Sequence, residues 1–554
     1  MIKENFVKMY EKVFQENWTL PAFTNYEEAK TFTVADVAQW SAKVHLILEH
    51  NGIKKGDHVA LIGKDCAEWC MIWMGIVTYG AVVVPILPDF HRNDILHILN
   101  HSESKLIFAG TEHQNLITKE EIPNTVGVFS IKDLKPVVHL CVAERARETD
   151  AEALFCSKYT NGFTRDDIEY PEIDNKELMV ISYTSGTAGF SKGVMTTANN
   201  LAANIVYALT QEMQKRGDNL LCFLPNAHSY SCAFNFLLPL RVGAHVYILG
   251  QKPTPTVLLK ALKDVRPRLI LSVPLVLEKI YKSVLAPQLN STKVKIALST
   301  PILRQSVLKK FRQALIDALG GNVDSFIIGG AALNGEISDF LYSIKFPLTV
   351  GYGMTECAPL VSYCKPKDYT PGTCGRVLHL IEELRIADAQ EIEGKRVGEI
   401  QIKGENVCLG YFKNEKATAE LFTEDGWMKS GDLGYIEKDF VFLKGRSKAM
   451  LLGPNGQNIY PEEIEAKIAM LPFMNEAIVV QREGKKNVAI VTIDRIALEK
   501  VGHKKDKAIE KVLEENRLLL NQSISSFAQI SAFEVLEGDF EKTPKQSIKR
   551  YLYS

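Results

Sequence analysis

Leu178-Met179-Val180-Ile181-Ser182-Tyr183-Thr184-Ser185-Gly186-Thr187-Ala188-Gly189-Phe190-Ser191-Lys192-Gly193 decides how the rest of the chain is read. Its first four residues are apolar and read as a buried strand. The run that follows is rich in hydroxyls and glycines and carries one lysine. A strand that opens into such a loop brings backbone N–H groups, hydroxyls and a cation to one point, which is chemistry for a polyphosphate. The glycines admit close backbone approach, the hydroxyls donate to phosphate oxygens, and Lys192 supplies charge. The spacing is not that of a Walker loop, because Phe190 and Ser191 separate Gly189 from Lys192 and Gly193 follows the lysine. A solvated Ser/Gly loop is the plain alternative.

A chain of 554 residues exceeds what one core serves, so two or more domains are expected. Hydrophobic residues at 46% and charged residues at 24% place it among ordinary globular proteins. A net charge of −1 gives no bulk electrostatic case for a nucleic-acid partner. The ten cysteines are scattered without the paired clusters of a zinc site, and read as reduced thiols of a cytoplasmic protein. Cys66 and Cys70 stand four residues apart but lack a partner pair, so core packing is expected there. The first residues, Met1 to Asn5, lack the anatomy of a signal peptide. Trp69 to Leu87 contains no charge, but Gly75, Gly80, Pro85 and the β-branched Val82-Val83-Val84 break it. It reads as a buried helix to about Tyr79 and then a parallel-type strand, not as a membrane span.

Short apolar runs such as Val59–Ile62, Lys105–Phe108, Leu220–Phe223, His245–Leu249, Leu269–Leu271 and Phe326–Ile328 alternate with helical patterns such as Leu308–Leu315. The expected class is α/β, a large multi-layer N-terminal domain with mostly parallel sheets. Residues 151–175 are polar and read as a loop or flap. After about residue 445 the texture becomes α+β: a helix around Glu462–Leu471, strands near Ala477–Val480 and Val488–Ile493, a charged helix within Lys504–Leu520, and a strand near Ala532–Leu536. The domains expected are therefore 1–445 and 449–554, joined at 446–448.

Other runs carry chemistry. Phe326-Ile327-Ile328 leads into Gly329-Gly330-Ala331-Ala332, where small residues leave room for a flat ring. Pro347-Leu348-Thr349-Val350 leads into Gly351-Tyr352-Gly353-Met354-Thr355-Glu356. Tyr352 offers an aromatic face to adenine, Thr355 a hydroxyl to phosphate, and Glu356 a carboxylate to Mg²⁺, which needs one or two acids beside phosphates and water. Two strand ends with ordinary turn glycines are the plain alternative. Asp432 suits ribose hydroxyls or a local Asx turn. Arg446 suits ribose, phosphate or a surface linker. His228, after Leu224-Pro225-Asn226-Ala227, lines an acid pocket or serves the fold.

Together these runs resemble the adenylate-forming (AMP-binding) superfamily, and within it the AMP-forming long-chain fatty acyl-CoA synthetases. Phe32-Thr33-Val34-Ala35-Asp36-Val37, Asn100-His101-Ser102-Glu103-Ser104-Lys105 and Ser272–Tyr281 look like the long-chain branch. The resemblance implies that Thr184, Ser185, Gly186, Thr187, Gly189 and Lys192 grip ATP phosphates. It implies that Tyr352, Thr355 and Glu356 serve AMP and Mg²⁺, with Gly330, Ala331, Ala332, Gly351 and Gly353 around the nucleotide. Asp432 and Arg446 match ribose contacts, and Lys448 a hinge for a mobile C-terminal lid. Gly453 and Gly456 match the motif facing the CoA-transfer state.

The implied reaction joins a carboxylic acid, with a medium- or long-chain fatty acid leading, to the α-phosphorus of ATP. The CoA thiol then displaces AMP. A carrier-protein acceptor is the second enzymatic reading, and peripheral membrane contact follows from a lipid substrate. Ala188 and Ser191 depart from the family pattern tolerably. Aligned without gaps, Ser547 falls where the adenylation lysine is expected, and serine cannot replace an ammonium. Lys545 and Lys549 lie two residues to either side, and Lys545 is the preferred surrogate. A nucleotide- or acyl-binding pseudoenzyme, suggested by Ser547, is the reading from a different class.

Overall fold

A computed structural model describes residues 2–184, 191–289, 291–452, 458–482, 486–502, 506–543 and 548–553. By its contacts the chain divides into two compact units. The first comprises Met1–Thr184, Phe190–Glu383 and Ile402–Met428; the second is built mainly from Leu384–Gln401 and Lys429–Ser554.

The apolar runs of the first unit become β1 Pro21–Asn25, β2 Lys30–Thr33, β3 His58–Ile62, β4 Val82–Ile86, β5 Leu106–Ala109, β6 Gly127–Ser130, β7 Leu178–Thr184, β8 Lys192–Thr197, β9 Asn219–Cys222, β10 His245–Ile248, β11 Leu269–Ser272, β12 Ser325–Ile328 and β13 Leu348–Val350. A six-stranded sheet has the order β6-β5-β3-β4-β7-β8. It is parallel up to β7, and β8 pairs antiparallel with β7, setting Thr184 opposite Lys192. A second sheet, β2-β1-β10-β9, is parallel apart from its β1–β2 pair. The third, β11-β12-β13, is parallel throughout. This is the expected α/β layering. Every residue of β4 is buried, as in a strand covered on both faces.

The uncharged stretch resolves as read: a helix Ala67–Tyr79, then β4. Trp69 and Trp73 are buried and meet the Phe236 ring edge-on at 6.5 and 5.3 Å. Among the described residues no helix is long and apolar enough to cross a membrane. All ten cysteines are free thiols. Cys66 is the residue that starts the Ala67–Tyr79 helix and Cys70 is buried in its first turn. Among the described residues no His/Cys/Asp/Glu group is arranged to hold a metal by itself.

The reading of 151–175 as loop needs correction. Ala151–Lys158 is a helix, started by Asp150, whose Oδ1 accepts from the N–H groups of Glu152 and Ala153 at 3.0 and 3.1 Å. Its large buried anchor is Phe155, set against Ala42 and Leu46. One aromatic anchor and an N-cap suffice where propensity alone is weak.

The strands Met428–Glu437, which lies in the second unit from Lys429 onward, and Phe440–Arg446 form a hairpin. Met474–Arg482, Lys486–Ile493 and Ile530–Val535 form a sheet, antiparallel in the first pair and parallel in the second. The helix Pro461–Ile468 contributes Ile464 and Ile468 to its core, and Asp506–Gln522 contributes Leu520.

Candidate active site

The hairpin of β7 and β8 brings Thr184 and Lys192 together as register partners, both half-buried. Tyr183, one residue earlier, is buried and bonded to the His101 ring at 2.7 Å, which fixes the end of β7. Outside β8 runs the segment Cys408–Phe412. It is held by Leu409 N–H to Met195 O at 2.9 Å, Met195 N–H to Gly410 O at 2.9 Å and Phe412 N–H to Gly193 O at 2.8 Å. Tyr411 thus lies opposite Val194. Its ring stands 4.8 Å from Lys192 Nζ, a cation–π distance. Its hydroxyl donates to Glu356 Oε1 at 2.8 Å, and Cys408 N–H donates to Glu356 O at 2.8 Å.

Tyr411 therefore ties Lys192 to the Glu356 carboxylate. Burial pushes its phenol well up, and the Glu356 charge pushes the same way, so it stays a protonated donor. Among the described residues Glu356 Oε2 takes no hydrogen bond. One half-buried carboxylate with an uncommitted oxygen fits Mg²⁺, which leaves its other positions to water and phosphate.

The turn bearing Glu356 is clamped from behind. Asn204, fully buried on the helix Ala198–Thr210, donates to Cys357 O at 3.0 Å and accepts from Leu360 N–H at 3.0 Å. Tyr352 is buried, while Thr355 opens a short turn, Thr355–Cys357. Gly353 is obligatory by space: a Cβ there would stand 2.4 Å from Pro359 O. The Gly351 turn adjoins the end of β12 through Gly351 N–H to Ile328 O at 2.8 Å. Gly330 has φ +85° and is exposed with Ala331 and Ala332, an open floor.

His228 precedes the turn Ser229–Ser231 and is half-buried. Its segment reaches the same floor through Tyr230, whose hydroxyl donates to Ile327 O at 3.2 Å and whose ring would lie 3.2 Å from a Gly329 Cβ. Asn226 fixes this segment, donating its N–H to Asp65 at 3.0 Å and accepting from Ser231 at 2.8 Å. Burial raises the Asp65 carboxyl to about 7. A cavity of about 20 Å³ beside it, lined by Trp73, Ser182, Asn226, Ala227 and Cys232 among others, is water-sized. A cleft of about 570 Å³ lined by Asn17, Gln214, Arg216 and Arg241 among others holds none of the candidate residues.

In the second unit Asp432 and Arg446 are cross-strand partners, with Arg446 Nε 3.5 Å from Asp432 Oδ1. Asp432 is largely covered and Arg446 largely exposed, and the Arg446 N–H donates to Glu462 at 3.1 Å. The Asx-turn alternative has a relative here: Asp432 N–H donates to Ser430 Oγ at 3.0 Å. Lys448 lies in the turn Ser447–Ala449. Ser185, Gly186, Thr187, Gly189, Gly453, Gly456, Lys545 and Ser547 lie outside the described residues.

The pattern of the AMP-binding enzyme family matches residues 11–412. The chain belongs to this family. Long-chain-fatty-acid–CoA ligase FadD15 of Mycobacterium bovis is 27% identical over 565 residues, spanning 94% of this chain and 89% of that protein. The 4-coumarate–CoA ligase of Vanilla planifolia is also 27% identical, over 83% of this chain and 78% of its own. ATP-bound MatB from Rhodopseudomonas palustris shares the fold at a TM-score of 0.73 and 21% identity, covering 99% of this chain and 98% of that one. The matched span contains Thr184, Lys192, Glu356 and Tyr411. Tyr411 and Asn204 were not found from sequence; Leu409-Gly410-Tyr411-Phe412 looks like any aromatic turn.

Proposed function

We infer that this chain is an AMP-forming acid–CoA ligase, with a fatty acid as the substrate class. The observation that carries the reading is the Lys192–Tyr411–Glu356 arrangement, which sets a cation and a carboxylate, one of whose oxygens takes no hydrogen bond among the described residues, beside the end of the β7–β8 hairpin. A polyphosphate needs both signs: a cation for its oxygens and an acid for its metal.

The residues then act as follows. Thr184 and Lys192, with Ser185, Gly186, Thr187 and Gly189, hold the β- and γ-phosphates while the acid's carboxylate attacks the α-phosphorus. Glu356 would hold Mg²⁺, which neutralises phosphate charge when bound. Tyr352 and the Gly330–Ala332 floor take the adenine, and Asp432 and Arg446 the ribose. The leaving group is pyrophosphate. A carboxylate is a poor acyl donor because its leaving group is oxide; the mixed anhydride instead releases AMP to the CoA thiol. Positioning and charge neutralisation supply most of the rate. Lys545 supplies the cation at the α-phosphate in place of Ser547, and residues 449–554 move about Lys448 to present Gly453 and Gly456 for thiol transfer. His228 lines the acid site.

The fatty-acid class is supported by the near full-length match to FadD15. An aryl acid is the second reading, favoured by the equally identical 4-coumarate–CoA ligase. A panel of fatty, aryl and short acids, assayed for AMP release with CoA, tests both. AMP release led by fatty acids is expected; release led by aryl acids overturns the class, and silence across the panel overturns the ligase.

A further inference from the structure

The first unit carries a second unusual surface, on the helices Thr292–Ser299 and Pro301–Ala318, which pack on each other and hold none of the candidate site residues. From Thr292 to Ile316 the sequence holds six cations, Lys293, Lys295, Arg304, Lys309, Lys310 and Arg312, and no acid, in a chain whose net charge is −1. All six are exposed, and none makes an ion pair among the described residues. Elsewhere in this unit several exposed lysines are paired, as Lys55 with Glu177 and Lys413 with Glu103.

The same helices expose large aliphatic side chains. Ile302 is 87% exposed, Ile296 60% and Leu303 50%. They are not spare core residues, because Leu308, Phe311 and Leu315 already bury the inner face of the longer helix. A helix pair with isolated aliphatic residues among unpaired cations matches what lies in the interface of an anionic bilayer: aliphatic groups enter the acyl boundary while cations meet lipid phosphates. Two copies of this face would set cation against cation, which disfavours self-association through it. The face also exposes no aromatic anchor of the kind that dominates protein interfaces.

We propose that the helices Thr292–Ser299 and Pro301–Ala318 dock this protein peripherally on anionic lipid membranes. The proposal does not rest on the ligase reading, since docking needs neither nucleotide nor acid.

The test is flotation of the full chain with phosphatidylcholine vesicles, with and without phosphatidylglycerol, at low and high salt. Binding is expected only with phosphatidylglycerol, weakening as salt rises. Each basic residue near such a surface strengthens binding roughly fivefold, so Lys295→Gln, Lys309→Gln and Lys310→Gln together weaken it on the order of 100-fold. Ile302→Ser with Leu303→Ser, which touches only exposed positions, also weakens it. Circular dichroism and pyrophosphate exchange confirm that both variants fold. Absent binding, equal binding to neutral vesicles, or binding unchanged in both variants overturns the proposal. So does capture of a soluble acidic protein by this face without vesicle binding.

Discussion

Glu382 offers a sharp test of how the first unit is held together. The residue is 4% exposed, and its carboxylate takes one side-chain bond, from Asn406 Nδ2 to Oε2 at 2.6 Å. Among the described residues Glu382 Oε1 and Asn406 Oδ1 are both buried without hydrogen-bond partners. A proton on the carboxyl supplies the donor that two orphaned acceptors lack. Burial pushes the carboxyl well above the usual range, and the Asn406 bond offsets only part of this. The folded state therefore keeps a proton that the unfolded chain loses above about pH 4.3. Stability from this group is complete below that point and falls as pH rises toward the folded pKa. The limiting slope is about 1.4 kcal/mol per pH unit while the folded carboxyl holds its proton and the unfolded one does not. Glu382→Gln keeps the shape and a donor but cannot ionise. Urea midpoints of wild type and variant, taken between about pH 4 and pH 8, should nearly coincide at the acid end and diverge upward, the variant gaining at most about 1.4 kcal/mol for each pH unit. The comparison cancels Asp65 and Glu465, whose burial raises each to about 7 in both proteins. Parallel stability curves would show that Glu382 is ionised in the fold and refute the reasoning.

Tyr411→Phe keeps the ring over Lys192 and deletes the bond to Glu356; the Mg²⁺ concentration needed for half-maximal ATP binding, read by calorimetry, should rise roughly tenfold or more, as for a lost bond to a charged group, with metal-free ATP binding unchanged. Asn204→Ala leaves Cys357 O and Leu360 N–H without their partner, and should lower the thermal midpoint by several degrees, in line with about 1 to 3 kcal/mol per orphaned buried group. Lys545→Ala should abolish acyl-adenylate formation yet spare thioester formation from supplied acyl-adenylate; untouched exchange means another group acts at the α-phosphate. Ser547→Lys should raise adenylation, and an unchanged rate counts against the gap-free alignment.

The strand ends that carry the candidate motifs were legible because each is an apolar run stopped by glycine or hydroxyl residues, as at Thr184, Gly330 and Gly351. Local chemistry announces such ends. Tyr411 was not legible, because it comes 55 residues after Glu356 and meets it only once Cys408–Phe412 lies along β8. Asn204 was hidden for the same reason, standing 153 residues before Cys357. The Ala151–Lys158 helix escaped notice because one buried phenylalanine anchors it and no periodic apolar stripe marks it. The net charge of −1 masked the acid-free run from Thr292 to Ile316, since a whole-chain sum averages away a local excess.

Acid-dependent exchange of labelled pyrophosphate into ATP tests the central claim most directly, because it reports the reversible joining of a carboxylate to AMP and nothing downstream. The account predicts exchange with at least one fatty acid in wild type and its loss in Lys192→Ala and Glu356→Gln. Exchange that survives both substitutions, or that no acid elicits, would contradict it.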